Sequence, residues 1–144
     1  MKCDVLRQYE LCYLATPYSG YEGGLDKAYE DAALLSLKLF GMGINNYSPI
    51  VYSHHIARAL EIDPTDHDFW MAFDQPMMKK CDALIIARFP GWDKSMGVSI
   101  ENDRFRAQDK DVWHIDPNGP KLVSEPSMRS RNSITDFILA PLVL

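Results

Sequence analysis

The chain has 144 residues, 47% of them apolar and 24% charged, with a formal net charge of −5. That length holds one domain with a proper core, so residues 1–144 are read as a single unit of ordinary globular composition. The acidic balance argues against a nucleic-acid polymer as the main partner, since such partners are held by a basic face. A single nucleotide, whose phosphate needs only a local pocket, is still allowed.

No apolar run approaches membrane-spanning length. Cys3, Cys12 and Cys81 are odd in number and show neither a CxxC nor metal-ligand spacing, which suits a reducing compartment. Met1 to Glu10 is polar and lacks the apolar segment of a signal peptide. The expectation is a cytoplasmic protein.

Leu11 to Ala15 reads as a first buried strand, running into a loop from Thr16 to Gly24 that contains Pro17, Ser19, Gly20, Gly23 and Gly24. Hydroxyl side chains and backbone donors can converge there, although the Gly-Lys-[Ser/Thr] ending of a P-loop is missing. Leu25 to Phe40 carries Ala28, Ala32, Leu35 and Leu39 as one helical stripe, stopped by Gly41 and Gly43. Ile44 to Val51 reads as a second strand with Pro49 near its end, so the chain opens as strand, helix, strand, the unit of a parallel sheet. His54 and His55 come directly after it. No cluster at ligand spacing accompanies them, and a zinc site needs three or four ligands, so neither metal nor other cofactor is expected and the pair is read as shaping the pocket mouth.

Ile56 to Ile62 reads as a short helix and Asp63 to Asp66 as a turn in which Asp66 caps the next segment. Trp70 and Phe73 belong to an aromatic stretch that covers a pocket or packs in the core. Asp74 precedes Gln75-Pro76 and reads as the N-cap of a helix from Gln75 to Lys80. Ala83 to Ala87 is a continuous apolar run, hence a strand buried on both faces. After Pro90-Gly91 the chain passes Trp92, Ser95 and Gly97 and becomes helical from Val98 to Gln108. Strand, Gly-containing loop and helix place small polar groups and free N–H groups at the carboxyl edge of a parallel sheet, where ligands and anions bind. Glu101, about one turn into that helix, points back over the same edge. Asp111 to Asp116 reads as a further strand, closed by Pro117 to Pro120. The fold class is therefore α/β, a flavodoxin- or Rossmann-like three-layer sandwich around a central parallel sheet. The apolar tail within 120–144 packs on the domain or on a neighbouring subunit.

Three features occur together: Tyr13 in the opening strand before the Thr16 to Gly24 loop, Asp74 ahead of Cys81-Asp82 and an apolar strand, and Ser95-x-Gly97-x-x-x-Glu101. In this order they resemble the nucleoside 2-deoxyribosyltransferase-like superfamily, and within it small bacterial and phage members with a Tyr-Leu-Ala-Thr-Pro-Tyr-Ser opening. The resemblance covers roughly residues 11 to 116. It implies a flavodoxin-like sheet, a homodimer or higher homo-oligomer, and cleavage of the N-glycosidic bond of a nucleoside or nucleotide. It assigns Glu101 as nucleophile, Asp74 as the acid on the base side and Tyr13 as the strand-one tyrosine. The deoxyribosyltransferases proper carry an aspartate where this chain has Ser95; the superfamily's 2′-deoxynucleoside 5′-monophosphate N-hydrolases carry serine there, and use it on the phosphate. Those hydrolases also use a serine near the C-terminus of a neighbouring subunit, which Ser133 matches. Their first loop holds an arginine, whereas this chain has none between Arg7 and Arg58.

The chemistry fits these residue types. Breaking a C1′–N bond builds positive charge on the sugar and negative charge on the base; a carboxylate attacks the first and an acid neutralises the second. Thr16, Ser19, Ser95 and Gly97 form the substrate and phosphate cradle, and Trp92 beside it stacks on a base or lines the pocket. The expected partner is a small-molecule nucleotide or nucleoside. A deoxyribosyltransferase, a non-catalytic nucleotide sensor and cleavage of a dinucleotide such as NAD are the other readings.

Overall fold

The structure, a computed structural model, describes residues 2–123. Ser133 and the rest of 124–144 lie outside the described residues. The described chain forms five strands and four α-helices. The strands are β1 (Cys12–Ala15), β2 (Asn46–Tyr47), β3 (Ala83–Ala87), β4 (Asp111–Asp116) and β5 (Lys121–Leu122). The helices are α1 (Leu25–Gly41), α2 (Pro49–Leu60), α3 (His67–Lys80) and α4 (Met96–Ala107). They build one sheet in the order β2-β1-β3-β4-β5, with β5 antiparallel and the rest parallel. The architecture is the expected α/β sandwich with helices on a mostly parallel sheet. Among the described residues no helix is long and apolar enough to cross a membrane.

β3 lies between β1 and β4, and all five of its residues are buried. That burial explains its unbroken apolar sequence. Alternate residues of the strands face two cores. Leu14, Ala83, Ile85 and Ala87 pack with Leu35 and Leu39 of α1 on one face. Tyr13, Leu84, Ile86 and Val112 pack with Met71 and Met78 of α3 and Val98 and Phe105 of α4 on the other. The α1 stripe of Ala28, Ala32, Leu35 and Leu39 is buried as its spacing predicts.

Several local expectations are corrected. The strand expected over Ile44 to Val51 is only Asn46–Tyr47, because the chain turns into α2 at Pro49. Ser48 caps that helix, its Oγ accepting from the Val51 N–H at 3.3 Å, and proline at the first helical position needs no N–H partner. His54 and His55 consequently sit inside a helix and not at a strand end. The expected Ile56 to Ile62 helix is the second half of α2. Asp74 is not an N-cap: α3 starts at Asp66, whose carboxylate accepts from the Phe69 N–H at 3.2 Å, and runs through Pro76. Pro76 lies on the exposed side of the helix. α4 begins at Met96, two residues ahead of expectation, and the Pro117 to Pro120 turn leads into the two-residue β5, which no sequence pattern announces.

The far end of α3 is also tied down. The Lys110 ammonium donates to the carbonyls of Met78 at 3.0 Å and Lys79 at 2.8 Å, filling acceptors that a helix end leaves open and placing positive charge where the helix dipole favours it.

Candidate active site

The direction of winding reverses between β1 and β3, and open sheets of this strand order bind ligands at that point, beyond the carboxyl ends of the strands. A cavity lies there. The loop after β1 supplies Thr16, Tyr18 and Ser19; α3 supplies Trp70, Met71 and Asp74; the start of α4 supplies Ser95, Gly97 and Glu101. Its enclosed volume is about 50 Å³, room for a water or two or for the reacting edge of a ligand.

Glu101 forms part of the cavity although it is only 5% exposed. The Tyr13 hydroxyl donates to its Oε2 at 2.6 Å. Tyr13 is fully buried, its ring packed between Tyr47 and Phe105 at centroid distances of 5.7 and 5.4 Å, so β1 fixes the direction of a carboxyl carried by α4. Burial pushes the Glu101 carboxyl up to about 8; the Tyr13 hydrogen bond pulls the other way and the charge of Asp74 adds to the rise.

Asp74, in the middle of α3, is 4% exposed. Burial raises its carboxyl to about 7, and the nearby Tyr47 hydroxyl offsets part of that rise. That approach stops short of a formed hydrogen bond: Asp74 Oδ1 and the Tyr47 hydroxyl are both buried and unpartnered, as is Thr16 Oγ1. A buried polar atom without a partner costs roughly 1–3 kcal/mol. Thr16 and Asp74, which carry two of these atoms, both face the cavity, and such concentration is typical of a site that receives polar groups from a ligand.

Ser95 caps α4. Its Oγ accepts from the Val98 N–H at 3.3 Å, leaving the hydroxyl hydrogen free to donate to an anion at the helix start. A methyl group at Gly97 would meet only Ser95 Oγ at 3.9 Å and Met71 Cε at 4.0 Å. Packing therefore does not demand the glycine; its effect is open access to the backbone. Ser19 stands exposed at the mouth. Trp92 is not brought to the cavity: its ring lies under the Arg88 guanidinium at 4.7 Å and against His114 at 5.2 Å. Tyr13 stands behind Glu101 and reaches the site through its hydroxyl.

Sequence reasoning missed Tyr18, Ser53 and His67, which also line the cavity. Tyr18 lies inside the loop already singled out. Ser53 is hidden when its neighbourhood is read as the end of a strand. A larger groove of about 630 Å³ lies toward α1, between Lys27, Lys38, Arg88 and Phe89. It holds no pair of buried carboxyls, and its Asp31 is bound to Tyr21 and Lys27. Among the described residues no three His, Cys, Asp or Glu side chains gather as metal ligands.

The profile of a domain family of unknown function, DUF1937, matches residues 10–116. The chain belongs to that family. The matched segment runs from the residues just before β1 to the end of β4 and so contains every cavity residue named above. No curated protein matches the chain.

Proposed function

We propose that the chain is an N-glycosidase acting on a nucleoside 5′-monophosphate, with Glu101 as nucleophile and Asp74 as acid. The observation that carries this reading is the pair of buried carboxyls, both held near neutrality, at one cavity on the switch point of the sheet. One Glu101 oxygen attacks C1′ while the C1′–N bond breaks. The bonding electrons leave with the base nitrogen, which takes its proton from Asp74. Water then attacks the glycosyl ester, loses a proton to Asp74 and restores the Glu101 carboxylate. The reactive state has Asp74 protonated and Glu101 ionised; burial raises Glu101 further than Asp74, so this is the minor arrangement of the one proton the pair shares, and its population, with activity, peaks between about 7 and 8. Ser95 and the start of α4 are placed to receive the phosphate and orient the sugar. A whole nucleotide exceeds the enclosed space, so binding parts the cavity walls around the mouth.

The test is chromatographic detection of free base after incubation with nucleosides, nucleoside 5′-monophosphates and NAD. Base released from monophosphates by the native protein and not by Glu101→Ala is the expected result. Full activity in Glu101→Ala refutes the nucleophile. Release only when an acceptor base is supplied assigns a transferase, and tight nucleotide binding without any release assigns a sensor.

A further inference from the structure

A hydrogen-bonded chain on the α2 side of the cavity is not used by the chemistry above. Tyr18 lines the cavity and is 8% exposed. Its hydroxyl lies 2.6 Å from Nδ1 of His54. Nε2 of the same ring lies 3.0 Å from Oδ1 of Asp26, at the start of α1. Arg58, one turn further along α2, pairs with that carboxylate oxygen. The Tyr29 ring stacks on His54 at 4.8 Å with the planes 15° apart. His54 is 4% exposed, so a loop, two helices and a buried ring are joined through one imidazole.

The protons along this chain have one consistent placement for a neutral imidazole. Asp26 is held below the ordinary carboxylate range, first by Arg58 and also by His54, so it is ionised and only accepts. Nε2 therefore carries the ring hydrogen, and Nδ1 presents a lone pair. The Tyr18 hydroxyl must donate to Nδ1. Burial, with the charge of Asp26, holds the phenol up to about 12, so it keeps its proton. With the imidazole neutral, its hydrogen is committed to His54, and the phenol oxygen is left able only to accept.

We infer that Tyr18 is a specificity residue of this cavity, accepting a hydrogen bond from an O–H or N–H group of the ligand, and that His54 and Asp26 are positioning residues acting through it. The geometry selects for ligands presenting a donor at that wall, such as a sugar hydroxyl or an exocyclic amine. It selects against ligands presenting only acceptors there, since two acceptors face to face leave both unpaired. The inference rests on the reading of the Glu101 cavity as a nucleotide site.

The experiment compares native protein, Tyr18→Phe, His54→Ala, His54→Asn, the Tyr18→Phe/His54→Ala double variant and Glu101→Ala. The probes are the four common 2′-deoxynucleoside 5′-monophosphates. Turnover gives KM and kcat separately, calorimetry gives Kd, and thermal midpoints check folding. Tyr18→Phe is expected to raise KM and Kd roughly three- to tenfold, the value of one net hydrogen bond, with kcat nearly unchanged. His54→Ala should do the same alone and add nothing in the double variant, because it acts through a hydroxyl already removed. His54→Asn, which keeps an acceptor for Tyr18, should recover most of the binding. Unchanged KM and Kd in Tyr18→Phe, with turnover still abolished by Glu101→Ala, overturns this inference alone. Equal losses from His54→Ala with and without the Tyr18 hydroxyl also overturn it, since that is structural damage. Weakened binding in Tyr18→Phe with no base released by any protein overturns the hydrolase reading alone. Neither binding nor turnover in the native protein overturns both.

Discussion

Replacing Glu101 with Gln removes a carboxyl that folding raises from 4.5 to about 8, while leaving an amide oxygen to accept from Tyr13. Between those two values the folded chain binds more protons at this site than the unfolded chain. The carboxyl therefore costs nothing below the unfolded value, and its cost grows as pH rises to the folded one. For these two values the cost increases by about 4 kcal/mol between pH 5 and pH 9. At about 3 °C per kcal/mol for a chain of this size, the native midpoint should fall by about 12 °C relative to Glu101→Gln across that range. Thermal unfolding followed by circular dichroism, with both proteins in the same buffers, gives the difference directly. A gap that stays constant within about 2 °C refutes the burial argument. A gap that widens toward low pH refutes its sign. Neither result depends on knowing the substrate.

Tyr13→Phe keeps the ring packing against Tyr47 and Phe105 but removes the hydroxyl that stabilises the Glu101 carboxylate. Glu101 then climbs further, and the pH optimum for base release should move to higher pH; an unmoved profile argues that Tyr13 only fills space. Asp66→Ala removes the side-chain cap of α3 and should cost about 1 kcal/mol, read as a drop of about 3 °C in the midpoint. Equal stability in that variant would place the start of α3 in the hands of other contacts, such as the Trp70 indole donating to the Asp63 carbonyl.

Periodicity makes much of the fold readable. The α1 stripe and the five apolar residues of β3 both report a buried surface that repeats at a fixed interval, and both are buried in the structure. Local signals in competition are harder. Asp66 and Asp74 each precede a stretch that looks like a helix start, and only burial decides between them; the chain caps with Asp66 and buries Asp74. Ser48-Pro49 is a helix start that the apolar character of Ile44 to Val51 conceals. Within α2, neighbouring residues point about 100° apart. The adjacent histidines expected at a strand end lie inside this helix instead: His54 turns inward to Tyr18, while exposed His55 meets the Tyr29 hydroxyl at 2.6 Å. The meeting of Asp74 with Glu101 depends on the packing of two helices and lies beyond any local pattern; the family resemblance names both residues, and the fold puts them at one cavity.

α3 is fastened at both ends, by the Asp66 carboxylate at the first turn and by the Lys110 ammonium at the last. Asp74 lies between these two fastenings, in the middle of the helix. What Asp74 and Glu101 can exchange is protons with the surrounding medium. A ligand that brings positive charge to the cavity should expel a proton into the buffer, and one that brings negative charge should draw a proton in. The apparent heat of association then depends on the ionisation enthalpy of the buffer, and its slope across buffers counts the protons exchanged.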